Sequence, residues 1–389
     1  MKKIIAICIL ISVSVLGFSA SEELELYSVL YNGSMSNSAQ LGILQSIVEL
    51  KLTGAGDFYA KALRRLVSEY SNISNATEKN AADEQAMVLA QLLGAEKYTA
   101  AASDLWLIAR DFQDPLVKAE ALMSLGKVQA TAFLPQVIGV LNSLNMAPTA
   151  DRLNGERVAF GAIIALEKYK DASCYLPVYF ASVGWYSDRI KNQAAKSLAI
   201  IADDPSPFMT DIVKGPGYNY QTKYAALKSL ETSDVSNDKK ATLAVDALAE
   251  GWRATTSDVN LRNVLSSMRK DSMDMIRRYG TQDETVYPLL ERGYNYQYDL
   301  DERKLAIRTI SALATDESAR RLSNYIMELN RKRQAGNITQ IDETLIRELI
   351  PALGATKRPI ARPALNAVTQ LDWVPAVKNL ATAALRQIP

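Results

Sequence analysis

The sequence predicts an all-α protein, a right-handed α-solenoid of stacked helical hairpins, and three observations carry that reading. First, a short frame recurs. Lys118, Lys191, Lys223, Arg303 and Lys378 are each followed three residues later by Ala, then by a small residue and a large apolar one. Residues three apart share a helix face, so the small positions let a neighbouring helix approach while the apolar residue anchors a core. Second, the anchors Leu93, Leu125, Leu166, Leu198, Leu230, Met268, Ile310, Leu353 and Leu385 are spaced by 32 to 43 residues. Self-similarity at such a period is the mark of a repeat array. Third, strand signals are scarce and no glycine-rich phosphate loop interrupts the helical periodicity.

Taken in order, the chain opens on an export segment. Lys2 and Lys3 precede an apolar run, Ile4–Leu16, and small residues follow at Gly17, Ser19, Ala20 and Ser21. The run is short for a membrane span and fits the apolar region of a signal peptide over residues 1–20, an uncleaved anchor being the alternative. Residues 21–80 lack the frame and read as an N-terminal helical cap with a polar outer face. Its helices are expected at Glu22–Tyr31, Gln40–Leu52 and Asp57–Tyr70, with Ser71–Asp83 as a polar connector. Residues 81–389 read as the repeat array, about nine units. A second amphipathic stretch lies between anchors, as at Tyr98–Arg110, Ala132–Leu144, Asp238–Glu250, Ser318–Arg333 and Pro359–Leu371, so each unit is two antiparallel helices. Asn145–Glu156, Asp203–Pro207 and Gln334–Ile341 are the longer non-helical stretches.

The run Asp114-Pro115-Leu116-Val117-Lys118, continuing to Ala121, Ser124, Leu125 and Gly126, resembles the second helix of HEAT repeats, including the phycobilisome-lyase-type variant. Asp114 can cap the helix and Pro115 suits its first position. Elsewhere the Asp shifts or vanishes, and armadillo-like hairpins fit the frame as well. The resemblance implies a scaffold whose second helices line a face for partners, and it implies no chemistry.

Composition narrows the chemistry. There is no histidine among 389 residues, which removes imidazole acid–base work, His-dependent metal sites and the familiar nucleophile–histidine arrangements. Beyond the export segment the only cysteine is Cys174, in the apolar context Ser173-Cys174-Tyr175-Leu176, so it reads as core filler. No cofactor and no metal site are expected. The net charge of +1 argues against a nucleic-acid binder that works by neutralising phosphates. The acidic run Asp299-Leu300-Asp301-Glu302 reads as negative charge at a helix N-terminus.

Two features offer candidate contact residues. A Gly-aromatic step recurs at Gly184-Trp185-Tyr186, Gly217-Tyr218-Asn219-Tyr220, Gly251-Trp252 and Gly293-Tyr294-Asn295-Tyr296, each expected in the turn before a frame helix. Its rings form either a binding ridge or packed helix ends in which glycine takes the left-handed backbone position. A basic line at one frame position, Lys196, Lys228 and Arg308 with Ser266 interrupting, is either a site for an acidic segment or a solvated face.

These readings converge on an exported bacterial scaffold, periplasmic or secreted, that is not an enzyme and binds envelope or periplasmic protein partners. A carbohydrate-active α/α toroid and a self-associating structural envelope component are the alternatives. Cleavage after Ala20 predicts a mature chain beginning near Ser21. N-terminal sequencing of protein from the native host checks this, and an intact Met1 in the membrane fraction would identify an anchor instead.

Overall fold

A computed structural model describes residues 20–389; apart from Ala20, the export segment read over residues 1–20 lies outside them. Among the described residues 79% are helical and none is in a strand. The chain divides into two compact units at Asp203/Asp204. The first carries five hairpins: α1 (Ala20–Gly33) with α2 (Asn37–Glu49), α3 (Gly56–Glu69) with α4 (Ala76–Ala95), α5 (Ala102–Asp111) with α6 (Pro115–Lys127), α7 (Leu134–Met146) with α8 (Arg152–Tyr169), and α9 (Tyr175–Val183) with α10 (Asp188–Ile201). The second carries five more: α11 (Ser206–Lys214) with α12 (Tyr220–Thr232), α13 (Asn237–Gly251) with α14 (Val259–Tyr279), α15 (Val286–Asn295) with α16 (Leu300–Leu313), α17 (Asp316–Gln334) with α18 (Gln340–Ala355), and α19 (Arg362–Gln370) with α20 (Pro375–Gln387). Within each unit the second helix of every hairpin packs on the second helix of the next.

Short polar residues start these helices by accepting hydrogen bonds from otherwise unpaired amides. Asp114 accepts from the Leu116 and Val117 amides with Pro115 at the first helical position, as its sequence context predicts. Asn75, Asp151, Asp258 and Asp299 cap α4, α8, α14 and α16, and Thr339 forms a reciprocal capping box with Asp342. Six second helices end in a left-handed residue that is not glycine: Lys51, Lys97, Gln129, Lys170, Ala314 and Lys357. Each carries a backbone cost of about 1 kcal/mol relative to a right-handed conformation.

The frame residues do what their sizes suggest. Ala121, Ala194, Ala226, Ala306 and Ala381 are fully buried. So are the anchors Leu93, Leu125, Leu166, Leu230, Met268, Ile310 and Leu353, each contributing about 1.5–3 kcal/mol by leaving water. Leu198 and Leu385 are half-buried; they lie on α10 and α20, the last second helix of each unit. At the small position a hydroxyl bonds the neighbouring helix: Ser124 Oγ donates to the Ala90 carbonyl at 2.7 Å and Thr309 Oγ1 to the Met273 carbonyl at 3.1 Å. Glycine allows the closest approach. A Cβ on Gly126 would lie 2.6 Å from Ala165 Cα, and one on Gly161 would lie 2.5 Å from the Ala119 carbonyl oxygen. Cys174 is fully buried, and burial pushes its thiol up to about 11, so it stays protonated and inert at neutral pH.

Two details of the N-terminal region differ from expectation. The border at 80/81 falls inside α4, because Asn75 caps a helix whose outer face takes up the polar residues Thr77–Asn80 while Ala81 and Ala82 turn inward. The cap's outer face also carries apolar residues among its exposed Glu22, Glu25 and Asn32: Val29 is 63% exposed, beside Leu26 and Leu30. No helix among the described residues is long and apolar enough to cross a membrane.

Gly161→Ala should lower the first unit's stability by about 1–3 kcal/mol, because the new methyl meets backbone that has no room to move. Gly139→Ala, on the open face of α7, should raise it by up to about 1 kcal/mol through helix propensity. Urea midpoints that move in the same direction for both variants would contradict this packing.

Candidate functional site

The Gly-aromatic steps are not equivalent in three dimensions. Gly184-Trp185-Tyr186 and Gly217-Tyr218 precede α10 and α12, but Gly251 and the stretch Gly293–Asn295 form the last residues of α13 and α15. None of these four glycines has a positive φ, so the left-handed reading is corrected: the helices end through ordinary turns, and left-handed ends lie after second helices and at Gly336 beyond the first helix α17. The identical Gly-Tyr-Asn-Tyr-Gln copies diverge because Asn219 caps α12, whereas Asp299, three residues after Tyr296, caps α16.

Most of these rings fasten one hairpin to its neighbour. Tyr186 and Tyr294 are buried. The Tyr186 hydroxyl donates to Asn145 at 3.0 Å, and Tyr294 stacks on Tyr325 with centroids 3.9 Å apart. Trp185 Nε1 donates to the Leu144 carbonyl at 2.8 Å. Tyr218 packs over Gly215, and Tyr220 is half-exposed beside Lys223. A pattern that no short motif announces links three of the four tryptophans. An arginine from the adjacent hairpin lies over the ring and bonds a carbonyl at or beside it: Arg152 on Trp185, Arg292 on Trp252 and Arg333 on Trp373. A cation over an indole face contributes about 0.5–2 kcal/mol.

Trp252 and Tyr296 are the two predicted rings that the fold brings together, 5.4 Å apart and edge-on, at a groove of about 1070 Å³ between the turns of the α13–α14 and α15–α16 hairpins. The groove's floor is a buried ion pair. Arg269 on α14 donates twice to Glu302 on α16, Nε to Oε2 and Nη2 to Oε1, both at 2.8 Å. Its Nη1 donates to the Gly251 carbonyl at 3.1 Å, and Ser266 adds a 2.6 Å bond to Glu302. The guanidinium lies 4.3 Å from the Trp252 ring centroid and 5.0 Å from that of Tyr296. Glu302 therefore departs from the expectation for the acidic run. Asp299 caps the helix as expected, but Glu302 turns inward because Arg269 waits there.

Part of the signal for this pair lies in register. The residue after the anchor is Gly94, Gly126 and Gly354 in three units and Arg269 after Met268, while Glu167, Ala199, Glu231, Ser311 and Arg386 follow the other anchors. The residue before the basic lead is Val117, Ile190 and Val377, all buried, and Glu302 before Arg303. Opposite charges at two core positions of consecutive units signal a buried pair. The groove's other carboxylates are also engaged: Asp299 by Lys270 at 2.7 Å and Glu291 by Arg321 at 3.0 Å. Burial pushes the Asp299 carboxyl up, but the Lys270 bond and the Glu302 and Asp301 amides outweigh it and hold it below the usual range.

The basic line is largely neutralised. Lys228 meets Glu231 at 2.5 Å and Asp271 at 3.1 Å, and Arg308 forms a two-point pair with Glu348 on α18. Lys196 is exposed and belongs to the first unit. Among the described residues no cluster of Cys, Asp and Glu is arranged to hold a metal ion. No protein-family model matches the chain, and no curated protein matches it.

Arg269→Met should cost about 3–5 kcal/mol, because it strands a buried carboxylate. Adding Glu302→Leu should recover most of that loss, since a well-packed apolar pair commonly replaces a buried ion pair without penalty. A double variant no more stable than the single one, by urea unfolding, would show that the pair does not act as a unit.

Proposed function

We propose that this chain is an exported, HEAT-like right-handed α-solenoid that acts as a non-catalytic scaffold, binding a protein partner in the groove between the α13–α14 and α15–α16 hairpins. The observation that carries the binding reading is the division of labour in that groove. Its floor charges satisfy one another, while Arg262, Arg292 and the 90% exposed Tyr298 stand at its rim. Arginine and tyrosine in that setting are the residue types that dominate protein-contact hot spots. Support for a HEAT-like array comes from the Asp114-Pro115 helix start and from the second-helix stacking within each unit. Lys2, Lys3 and the apolar run Ile4–Leu16 support export to the periplasm or beyond.

The glycan-cleaving alternative needs a carboxylate pair free to give and take protons. In the groove, Glu302, Asp299 and Glu291 are each engaged by a basic side chain, which favours binding over hydrolysis. The exposed Leu26, Val29 and Leu30 on α1 favour self-association as a second reading, and sedimentation of the purified protein over a concentration series tests it.

Immobilised protein challenged with native envelope extract should retain a defined partner, and Tyr298→Ala should reduce that capture by roughly ten-fold. Equal capture by the variant moves the contact away from the groove. Small-angle scattering tests the array itself: an elongated arc is expected, and a compact globule would favour a closed toroid.

A further inference from the structure

Building on the proposed binding role, we infer that the groove takes an acidic segment of its partner, a stretch in which an Asp or Glu side chain adjoins an aromatic or apolar residue. The argument is an accounting of charge. Six charged side chains line the groove: Arg262, Arg269, Arg292, Glu291, Asp299 and Glu302. Every carboxylate among them has a cation: Glu302 has Arg269, Asp299 has Lys270 and Glu291 has Arg321. Arg269 is consumed in the floor. Arg262 and Arg292 are different, for their hydrogen bonds go to backbone carbonyls alone, of Ser257 at 3.2 Å and of Trp252 at 2.8 Å. A guanidinium carries five N–H donors in a fork matched to a carboxylate, so each keeps donors to offer. The groove thus holds two positive charges that no carboxylate within it compensates, in a unit whose other basic candidates, Lys228 and Arg308, are paired.

Aromatic surface lies beside that charge. Tyr298 is 90% exposed and stands edge-on to Tyr296 at 5.5 Å, and Tyr296 in turn meets Trp252. A ring this exposed gains little from burial and offers its face to a neighbouring side chain. Asn263, Asn295 and Thr256 add neutral donors and acceptors for a peptide backbone. The combination fits a carboxylate flanked by a ring or an aliphatic group. It does not suit a nucleic acid, whose affinity comes from neutralising many phosphates in a row, where this site has two cations.

The test uses purified protein and three fluorescein-labelled decapeptides, alternating Glu-Tyr, Ser-Tyr and Lys-Tyr, with a deoxythymidine decamer as the fourth probe. Anisotropy titration should rank Glu-Tyr first by roughly ten-fold or more over the others, with affinity falling as salt rises. Arg262→Gln should weaken Glu-Tyr binding by roughly ten-fold, the scale of one lost charge-assisted hydrogen bond, with an unchanged thermal melt. Arg292 also clasps Trp252, so Arg292→Gln is read beside Arg292→Lys, which should restore part of the affinity by keeping the charge. Equal binding of the three peptides, a preference for Lys-Tyr or for the oligonucleotide, no dependence on Arg262, or no binding at all would overturn the acidic-segment inference. Binding of all three peptides that Tyr298→Ala abolishes would overturn it while leaving the groove's binding role intact, so the two failures are distinguishable.

Discussion

The close approach of second helices is the constraint on which the remaining structure depends. Gly126 lies against Ala165, Gly161 against Ala119 and Gly354 against Ala384, at separations that admit no further methyl group. Such contacts bring backbone against backbone, and the hydroxyls of Ser124 and Thr309 then reach carbonyls of the neighbouring helix. A close-packed interior is sensitive to the addition of a single methylene, so the spacing of one hairpin is passed to the next through these positions. The first helices have a looser assignment. The rings of Trp185, Trp252 and Trp373 sit in the turns that follow them, and Arg152, Arg292 and Arg333 clasp these rings from helices of adjacent hairpins.

The groove arises where this rule is broken. At α14 and α16 the positions that hold glycine in three units and a branched aliphatic side chain in three hold Arg269 and Glu302, and the contact becomes one of charge. Removing two ions from water is costly, and only the multiple hydrogen bonds to Glu302 and the aromatic faces around Arg269 offset the cost. A buried polar network fixes geometry more narrowly than apolar packing does. Trp252 and Tyr296 are therefore held in place by the floor beneath them, and the exposed Tyr298 projects from a rigid base.

How much of this was legible in the sequence follows from the reach of each interaction. Helices stabilised by their own caps and periodicity were readable, as at Asp114 and Asp57–Tyr70, because their determinants lie within a few residues. The frame alanines were readable because burial repeats with the unit. The Gly-aromatic steps were legible as unusual, but which rings pack and which stay exposed was not, since the fate of a ring depends on what the neighbouring hairpin presents. Trp185 meets Leu144, about forty residues away, and Tyr294 meets Tyr325. Likewise Lys228 and Arg308 looked free until Asp271 and Glu348 arrived from the next second helix. The buried pair was missed because Arg269 and Glu302 were each read within their own segment, where an exposed charge is the ordinary outcome.

Contacts confined to sequence neighbours also bear on how the chain reaches this structure. Folding slows when distant segments must find one another, because loop closure precedes any reward from contact. Within each unit every hairpin packs on its sequence neighbours, so structure can propagate from one hairpin to the next. For a chain threaded unfolded through a membrane, as the proposed export requires, that order of events is an advantage. Once the first few hairpins have emerged and stacked, each later one can add to a surface already in place. Assembly can keep pace with delivery, and little apolar surface stays exposed to other unfolded chains in the meantime.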